Sequence, residues 1–515
     1  MSLKLFSDYS LLDREKKGAR KQHQMTRFSR IRSIGGLLVL MVAVSQVSDA
    51  GPSRQKARQL TLTDCVVPNV EGKLKCGEYE VFENRATRQG RKIKLKIVVF
   101  PATGTDRAPD PFIYIPGGPG SSATEDAPYI ASAYAKIRQQ RDLLFIDQRG
   151  TGGSHPLNCE FFNPADPQSY FGYFYPLDQV KKCRTQLDAV ADLTLYTTPI
   201  AMDDFDEVRE ALGYEQLNLF GTSYGTRASL VFLRRHPRSA RTVTLQGVAP
   251  TNQHMPLDFA QVHERALLGI ISECEADDAC KTAFPNLRYE AKAVLERLIK
   301  APVEVDVREQ QGEKRKVTLS RNLAAEAIRY MLYSPPGAAR VPLVLHSAAQ
   351  VNFVPLAEAA LYYRRQIVAT GSNGLYLSIT CAEDLPWINP GEGERLAANT
   401  FLGDYRLQQQ REACALWPRA AIPADYSEPT KSDVPVLILT GEWDPVTPPA
   451  NGDAVAKFLS NSLHVVVPDG AHGFGGLEGG DCMLRLQSEF VEKGAAKGLD
   501  TSCVKNVRRR AFATR

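Results

Sequence analysis

No cysteine precedes residue 65 in this 515-residue chain, and none of the ten that follow stands in a C-x-x-C pair. That spacing argues against a zinc site or a thioredoxin-like redox centre. Beyond a short leader there is no apolar run long enough to span a bilayer, which needs about 20 residues. An excess of one charge is missing too. The first 50 residues carry nine Lys/Arg against four Asp/Glu, which accounts for the whole formal charge of +5. The remainder is balanced, so nothing argues for nucleic acid as a partner. There is no internal repeat and no low-complexity block. No His/Asp/Glu cluster with metal spacing stands out, so neither a metal nor a cofactor is expected. The Gly-rich stretch Gly117-Gly118-Pro119-Gly120 lacks the Lys and Ser/Thr of a phosphate-binding loop.

The leader reads as an export signal over residues 1–50. Arg27, Arg30 and Arg32 form a positive region, residues 34–44 are apolar, and Ser48-Asp49-Ala50 offers small residues before a cut. Met25 would give a more usual signal length. An uncleaved anchor is the alternative. The expected location is therefore periplasmic or extracellular, with no stable membrane insertion once the signal is removed. Ten cysteines in an exported chain imply five disulfides. Pairing neighbours gives Cys65–Cys76, Cys159–Cys183, Cys274–Cys280, Cys381–Cys414 and Cys482–Cys503, although spacing alone does not fix the connectivity.

The pattern along the chain is that of an α/β protein. Residues 77–82 and 92–100 alternate: Ile93, Leu95, Ile97 and Val99 oppose Lys92, Lys94 and Lys96, as in half-buried strands at an antiparallel edge. Residues 112–115, 142–146, 217–220, 243–246, 434–440 and 463–467 are short apolar runs, as strands buried on both faces are. Helical patterns at 125–140, 203–212, 227–235 and 482–493 fall between or after them. Such alternation builds a mostly parallel sheet with helices on both faces. Residues 160–180 read as an irregular excursion. From about Pro250 the rhythm turns helical, with no clear run of buried strands. The expected division is a core over 51–250 and 421–515 with a helical cap inserted at 251–420.

One stretch organises the chemistry. Gly221-Thr222-Ser223-Tyr224-Gly225 follows an apolar run and precedes a helical one, which is the setting of a nucleophile elbow. A serine hydroxyl needs a base and the base needs an acid to orient it. In this fold type the acid and then the histidine come later in the chain. Three of the eight histidines follow residue 300. His346 lies in the cap and His464 inside a strand, which leaves His472, in a Gly-rich loop after the last strand. Asp444, after the penultimate strand, is the candidate acid, with Glu442 and Asp469 as rivals. Thr447 either bonds the acid loop or caps a helix. The backbone amides of Tyr224 and Gly118 are the candidate oxyanion hole. Asp147 and Arg149 are expected to brace the nearby loops as a charge pair.

Four stretches together carry a family resemblance: Gly-Gly-Pro-Gly at 117–120, Asp-Gln-Arg-Gly-Thr-Gly-Gly-Ser at 147–154, Gly-Thr-Ser-Tyr-Gly-Thr at 221–226 and Gly-Glu-Trp-Asp-Pro-Val-Thr-Pro at 441–448. They resemble the α/β-hydrolase serine aminopeptidases, namely prolyl aminopeptidases and, more closely, secreted tripeptidyl aminopeptidases with a TAP-like C-terminal region. The oxyanion loop of that family often begins with His, where Pro116 stands here. The resemblance implies an α/β-hydrolase fold, peptide substrates and release of short N-terminal pieces by an acyl-enzyme route. It also implies carboxylates that hold the substrate's amino group; Glu383 and Asp384 are the candidates, a solvated acidic pair being the alternative. An esterase with the same triad and a non-catalytic hydrolase-fold binding protein remain open readings, as does the oligomeric state.

Overall fold

The computed structural model describes residues 60–68, 70, 72–309 and 312–515; the export signature and residues 51–59 of the polar arm lie outside them. Eleven strands run in chain order as β1 (Thr63–Cys65), β2 (Leu74–Asn84), β3 (Gln89–Phe100), β4 (Phe112–Ile115), β5 (Leu143–Ile146), β6 (Leu217–Thr222), β7 (Ala240–Gln246), β8 (Val303–Arg308), β9 (Lys314–Leu319), β10 (Val436–Gly441) and β11 (Ser462–Val467). Nine of them form one sheet in the order β1-β2-β3-β5-β4-β6-β7-β10-β11. β1, β2 and β3 join antiparallel, and β3 also meets β5 antiparallel. From β5 to β11 every pairing is parallel.

The period of two explains how this sheet is held. On one face Ile113, Leu144, Leu219, Val243 and Ile438 pack with Phe205 and Val208 of helix Thr198–Leu212 and with Ala228 and Val231 of helix Tyr224–Arg235. On the other, Phe112, Phe145, Phe220, Leu437 and Val465 pack with Ile130 of helix Ala123–Ala133 and with Leu486 and Phe490 of helix Asp481–Lys493. Strands clothed on both sides have no polar face to offer, hence their wholly apolar sequences. At β3 the cover is one-sided: Ile93 and Leu95 are buried while Lys92, Lys94 and Lys96 face outward.

Between β7 and β10 the chain leaves the sheet and builds a separate core from helices such as Phe259–Ala276, Arg321–Met331, Pro335–Ala349 and Val354–Ala369. This region is not purely helical. β8 and β9 form an antiparallel hairpin there, with Val305, Val307, Val317 and Leu319 turned inward. Nor does the whole segment stay apart. Leu375, Leu377 and Ile379 of helix Asn373–Glu383 pack into the sheet-side core, and the Cys381–Cys414 disulfide ties helix Tyr405–Ala415 beside it. The excursion at 160–180 contains a short 3₁₀ turn, Pro167–Phe171, and the start of helix Leu177–Asp188.

All ten cysteines are paired as neighbours in sequence: Cys65–Cys76, Cys159–Cys183, Cys274–Cys280, Cys381–Cys414 and Cys482–Cys503. Among the described residues no helix is long and apolar enough to cross a membrane.

Candidate active site

Ser223 stands between β6 and helix Tyr224–Arg235 with φ 54° and ψ −123°, a conformation unfavourable for a side-chain-bearing residue. The neighbours hold it there. Its amide donates to the carbonyl of Gln246 at the end of β7 at 2.9 Å. A Cβ at Gly221 would lie 2.3 Å from the carbonyl oxygen of Gly225, and one at Gly225 would lie 2.0 Å from that of Ile115. Only glycine permits so tight a strand-to-helix turn against β4. The amide of Tyr224 falls in the first helical turn, where amides have no intrahelical partner because the residues before them lie in strand β6. Gly118, with φ 116°, lines the same cavity as Ser223. These two amides are the ones expected for an oxyanion hole.

His472 also lines that cavity and is 8% exposed. Its Nδ1 lies 2.9 Å from Oδ2 and 3.1 Å from Oδ1 of Asp444. Asp444 is fully buried, and Oδ1 accepts the amides of Val446 and Thr447 at 2.8 and 2.9 Å. Oδ2 accepts the hydroxyl of Thr447 at 2.7 Å. Three donors fix the carboxylate, which in turn fixes the ring by Nδ1 and leaves Nε2 free for the cavity side. The hydroxyl of Thr447 lies 3.1 Å from His472 Nδ1, so this residue serves the acid loop rather than a helix cap. The ring of Tyr333 meets His472 edge-on at 5.3 Å, a brace that no sequence signal marks.

The rival acids face elsewhere. Glu442 accepts the amide of Asp469 at 3.1 Å, and Asp469 accepts the amide of Arg509 at 3.0 Å. With Glu273 they form an acidic group into which the guanidinium of Arg509 reaches. His464 bonds Thr440 at 2.7 Å and Asp453 at 2.9 Å, and His346 bonds Glu290 at 3.0 Å; neither lines the cavity.

Glu383 and Asp384, expected to hold a substrate amino group, do not line the cavity either. Both are fully buried beneath the elbow. Glu383 accepts the amide of Thr198 at 2.7 Å, its hydroxyl at 2.8 Å and the hydroxyl of Tyr426. Thr198 is bonded in turn to Tyr224 Oη at 2.7 Å. Asp384 takes Arg227, one turn after Ser223, at 2.8 Å. The two carboxylates clamp helix Tyr224–Arg235 and the start of helix Thr198–Leu212 to the chain returning from the inserted segment. Arg149 likewise pairs with Asp204, at 2.6 Å, and not with Asp147. Asp147 instead accepts Ser122, Thr124 and Gly153, fastening the start of helix Ala123–Ala133.

A family model described as alpha/beta hydrolase fold matches residues 110–280, and one described as TAP-like protein matches residues 399–503. The chain has the α/β-hydrolase fold. This α/β-hydrolase is 24% identical to serine protease Hip1 of Mycobacterium tuberculosis, over 84% of its own chain and 88% of that protein. It is 28% identical to the tripeptidyl aminopeptidase of Streptomyces coelicolor, over 36% of this chain and 37% of that one. It is also 28% identical to a proline iminopeptidase of Neisseria gonorrhoeae, over 27% and 32%.

Proposed function

We propose that this α/β-hydrolase is an exported serine peptidase that removes short N-terminal pieces from small peptides. The observation that carries the reading is the grip of Asp444 on His472 Nδ1, at the rim of the cavity that also holds Ser223. In the proposed reaction His472 takes the proton of Ser223 as its oxygen adds to the peptide carbonyl. The amides of Gly118 and Tyr224 receive the charge on the former carbonyl oxygen. His472 then gives its proton to the departing amine, and water, activated the same way, hydrolyses the acyl-serine.

The peptidase assignment is supported by the relatives named serine protease, tripeptidyl aminopeptidase and proline iminopeptidase. Tyr330, Tyr333 and Tyr376 from the inserted segment line the same cavity as Ser223 and His472, which brings aromatic side chains within reach of a bound peptide. Export is supported by five disulfides together with the leader pattern at 1–50. We take the segment between β7 and β10 as the cap of the core.

A panel of chromogenic substrates tests this: free-amino dipeptidyl and tripeptidyl amides, their N-blocked forms and short acyl esters. The expected result is turnover of the free-amino peptide amides. Turnover of the esters alone would replace the peptidase with an esterase. Ser223→Ala should lower activity at least about a thousandfold, and near-normal hydrolysis by that variant would remove Ser223 from the mechanism.

A further inference from the structure

The charges around the cavity are of one sign. Arg329 and Arg406 line it, and among the described residues no Asp or Glu does. Each is only 4% exposed. Behind them Arg364, 2% exposed, stands 4.9 Å over the Phe174 ring, as Arg406 does on its own side. Glu326 is the carboxylate of the group, and Arg364 is bound to it. One negative charge therefore answers three positive ones.

Burying an unpaired ion is costly because its hydration is lost. Aromatic faces offset part of it. Arg329 lies 4.4 Å from the centre of the Tyr330 ring, and Arg406 lies 5.1 Å from that of Tyr175. Each such contact offsets a fraction of the lost hydration. Neutral hydroxyls help as well: Arg329 Nη2 donates to Tyr333 at 2.8 Å, and Arg406 Nη2 donates to Tyr376 at 3.1 Å. Donors are still left over. Nε and Nη1 of Arg329 and Nε of Arg406 are buried with no hydrogen-bond partner among the described residues. Glu326 Oε1 is unpartnered too, but Arg364 Nε and Nη1 stand unpartnered beside that pair. Satisfying Arg364 from Glu326 would still leave the two cavity arginines uncompensated.

A guanidinium is planar and presents its donors in a fork that fits a carboxylate. Arg329 is joined through Tyr333 to His472, so an anion held there sits one aromatic ring from the base. A free ammonium, by contrast, would be repelled from the same spot.

We propose that the cavity receives a carboxylate of the substrate between Arg329 and Arg406, which makes the hydrolase selective for acidic peptides. This rests on the peptidase reading for its substrate, though not for the site. The carboxylate has two possible sources: an Asp or Glu side chain on the acyl side, or the free C-terminus of a short peptide on the leaving side.

Two arms separate them in the wild-type protein. One compares chromogenic tripeptidyl amides that differ only by Glu, Gln or Lys at each position in turn. The other compares short peptides with free and amidated C-termini. The expected result is at least a tenfold advantage in kcat/KM for the charged member of one arm, with Lys the poorest in the first. Arg329→Met and Arg406→Met should each bring that ratio towards one. Should these variants not fold, protection of Ser223 from a fluorophosphonate by glutarate and by its neutral diamide gives the same reading in the unaltered protein. Glutarate should protect at a concentration at least tenfold lower. Ratios near one in both arms, or equal protection by the two compounds, would overturn the proposal. Protection by glutarate without turnover of any peptide amide would sink the peptidase reading and leave the carboxylate site standing.

Discussion

The carbonyl of Gly120 accepts the amide of Ser372 at 2.9 Å, so the glycine loop beside Ser223 is fastened to the chain returning from the segment inserted between β7 and β10. Gly120 has φ 115°, and a Cβ there would lie 2.8 Å from the Ser372 carbonyl oxygen. Gly120→Ala therefore meets both backbone strain, of roughly 1–3 kcal/mol, and a collision with backbone that cannot rotate away. The expected outcome is a lower melting temperature and a fall of at least about tenfold in kcat/KM, because the displaced loop carries the Gly118 amide. Thermal melts and steady-state kinetics on the same preparation read both, and unchanged kinetics would detach this loop from the chemistry.

The three donors that position Asp444 set two graded effects. Asp444→Asn keeps the shape, but the amide nitrogen must face a donor or the His472 ring must turn to the wrong tautomer. A loss of about 10³–10⁴ in kcat with little change in KM is expected. Thr447→Val removes one neutral donor, at 2.7 Å from Oδ2, and leaves the two amides in place. Its cost should be near the roughly 1.5–3 kcal/mol of one hydrogen bond to a charged group, which is about tenfold to 150-fold in kcat. A Thr447 variant as damaged as the Asp444 one would mean that the hydroxyl acts on His472 directly.

The sheet was legible because strands covered on both faces must be apolar throughout, and residues 112–115 and 217–220 can be little else. The contact of Asp444 with His472, and the cavity His472 shares with Ser223, were legible because each of the three follows a strand, in the order this fold imposes on a candidate triad. What the sequence hid were partnerships between distant positions. Glu383 looks like a free carboxylate until Thr198, 185 residues away, donates to it twice. Asp384 looks solvated until Arg227, 157 residues away, is found against it. Arg149 sits two positions from Asp147 yet reaches Asp204. The arginines at 329, 364 and 406 lie on three separate helices, so no local pattern announces their meeting. The β8–β9 hairpin is a different case. Val303, Val305 and Val307 alternate with Glu304, Asp306 and Arg308, a period-two signal present in the sequence and outweighed by the helices around it.

Glu383 gives a pH dependence with a definite sign. Burial pushes its carboxyl from 4.5 up to about 7, against the opposing bonds from Tyr426 and Thr198 and the charge of Arg227. A carboxyl raised on folding contributes stability that is fully present below about 4.5 and is lost as pH climbs through about 7. Glu383→Gln cannot ionise and should escape that loss. The variant's stability relative to wild type should therefore rise between pH 4.5 and 7, by roughly 3 kcal/mol at 1.4 kcal/mol per unit, and stay level above. Chemical denaturation across that range measures it. A constant difference would mean that the carboxylate is ionised throughout.

The last residues of the chain hold the His472 loop from behind. The amide of Arg509 donates to Asp469 at 3.0 Å, its guanidinium reaches Glu273 on helix Phe259–Ala276, and the amide of Ala513 donates to Ala339 at 3.0 Å. Asp469 lies three positions before His472 and has φ 54°. Arg509→Ala would leave Glu273, Glu442 and Asp469 facing one another with no cation between them. Glu273 and Asp469 each keep 26% of the side chain exposed, which lowers the cost below that of a fully buried pair. A destabilisation of about 1–3 kcal/mol is expected at pH 8. It should shrink towards pH 5, because burial already pushes Glu273 upward and protonation relieves the repulsion. Kinetics give the second readout: a loosened Asp469 lets His472 wander, so kcat should fall at temperatures where the variant is still folded. A variant destabilised equally at pH 5 and pH 8, with kcat intact, would show that the tail packs against the loop without holding it.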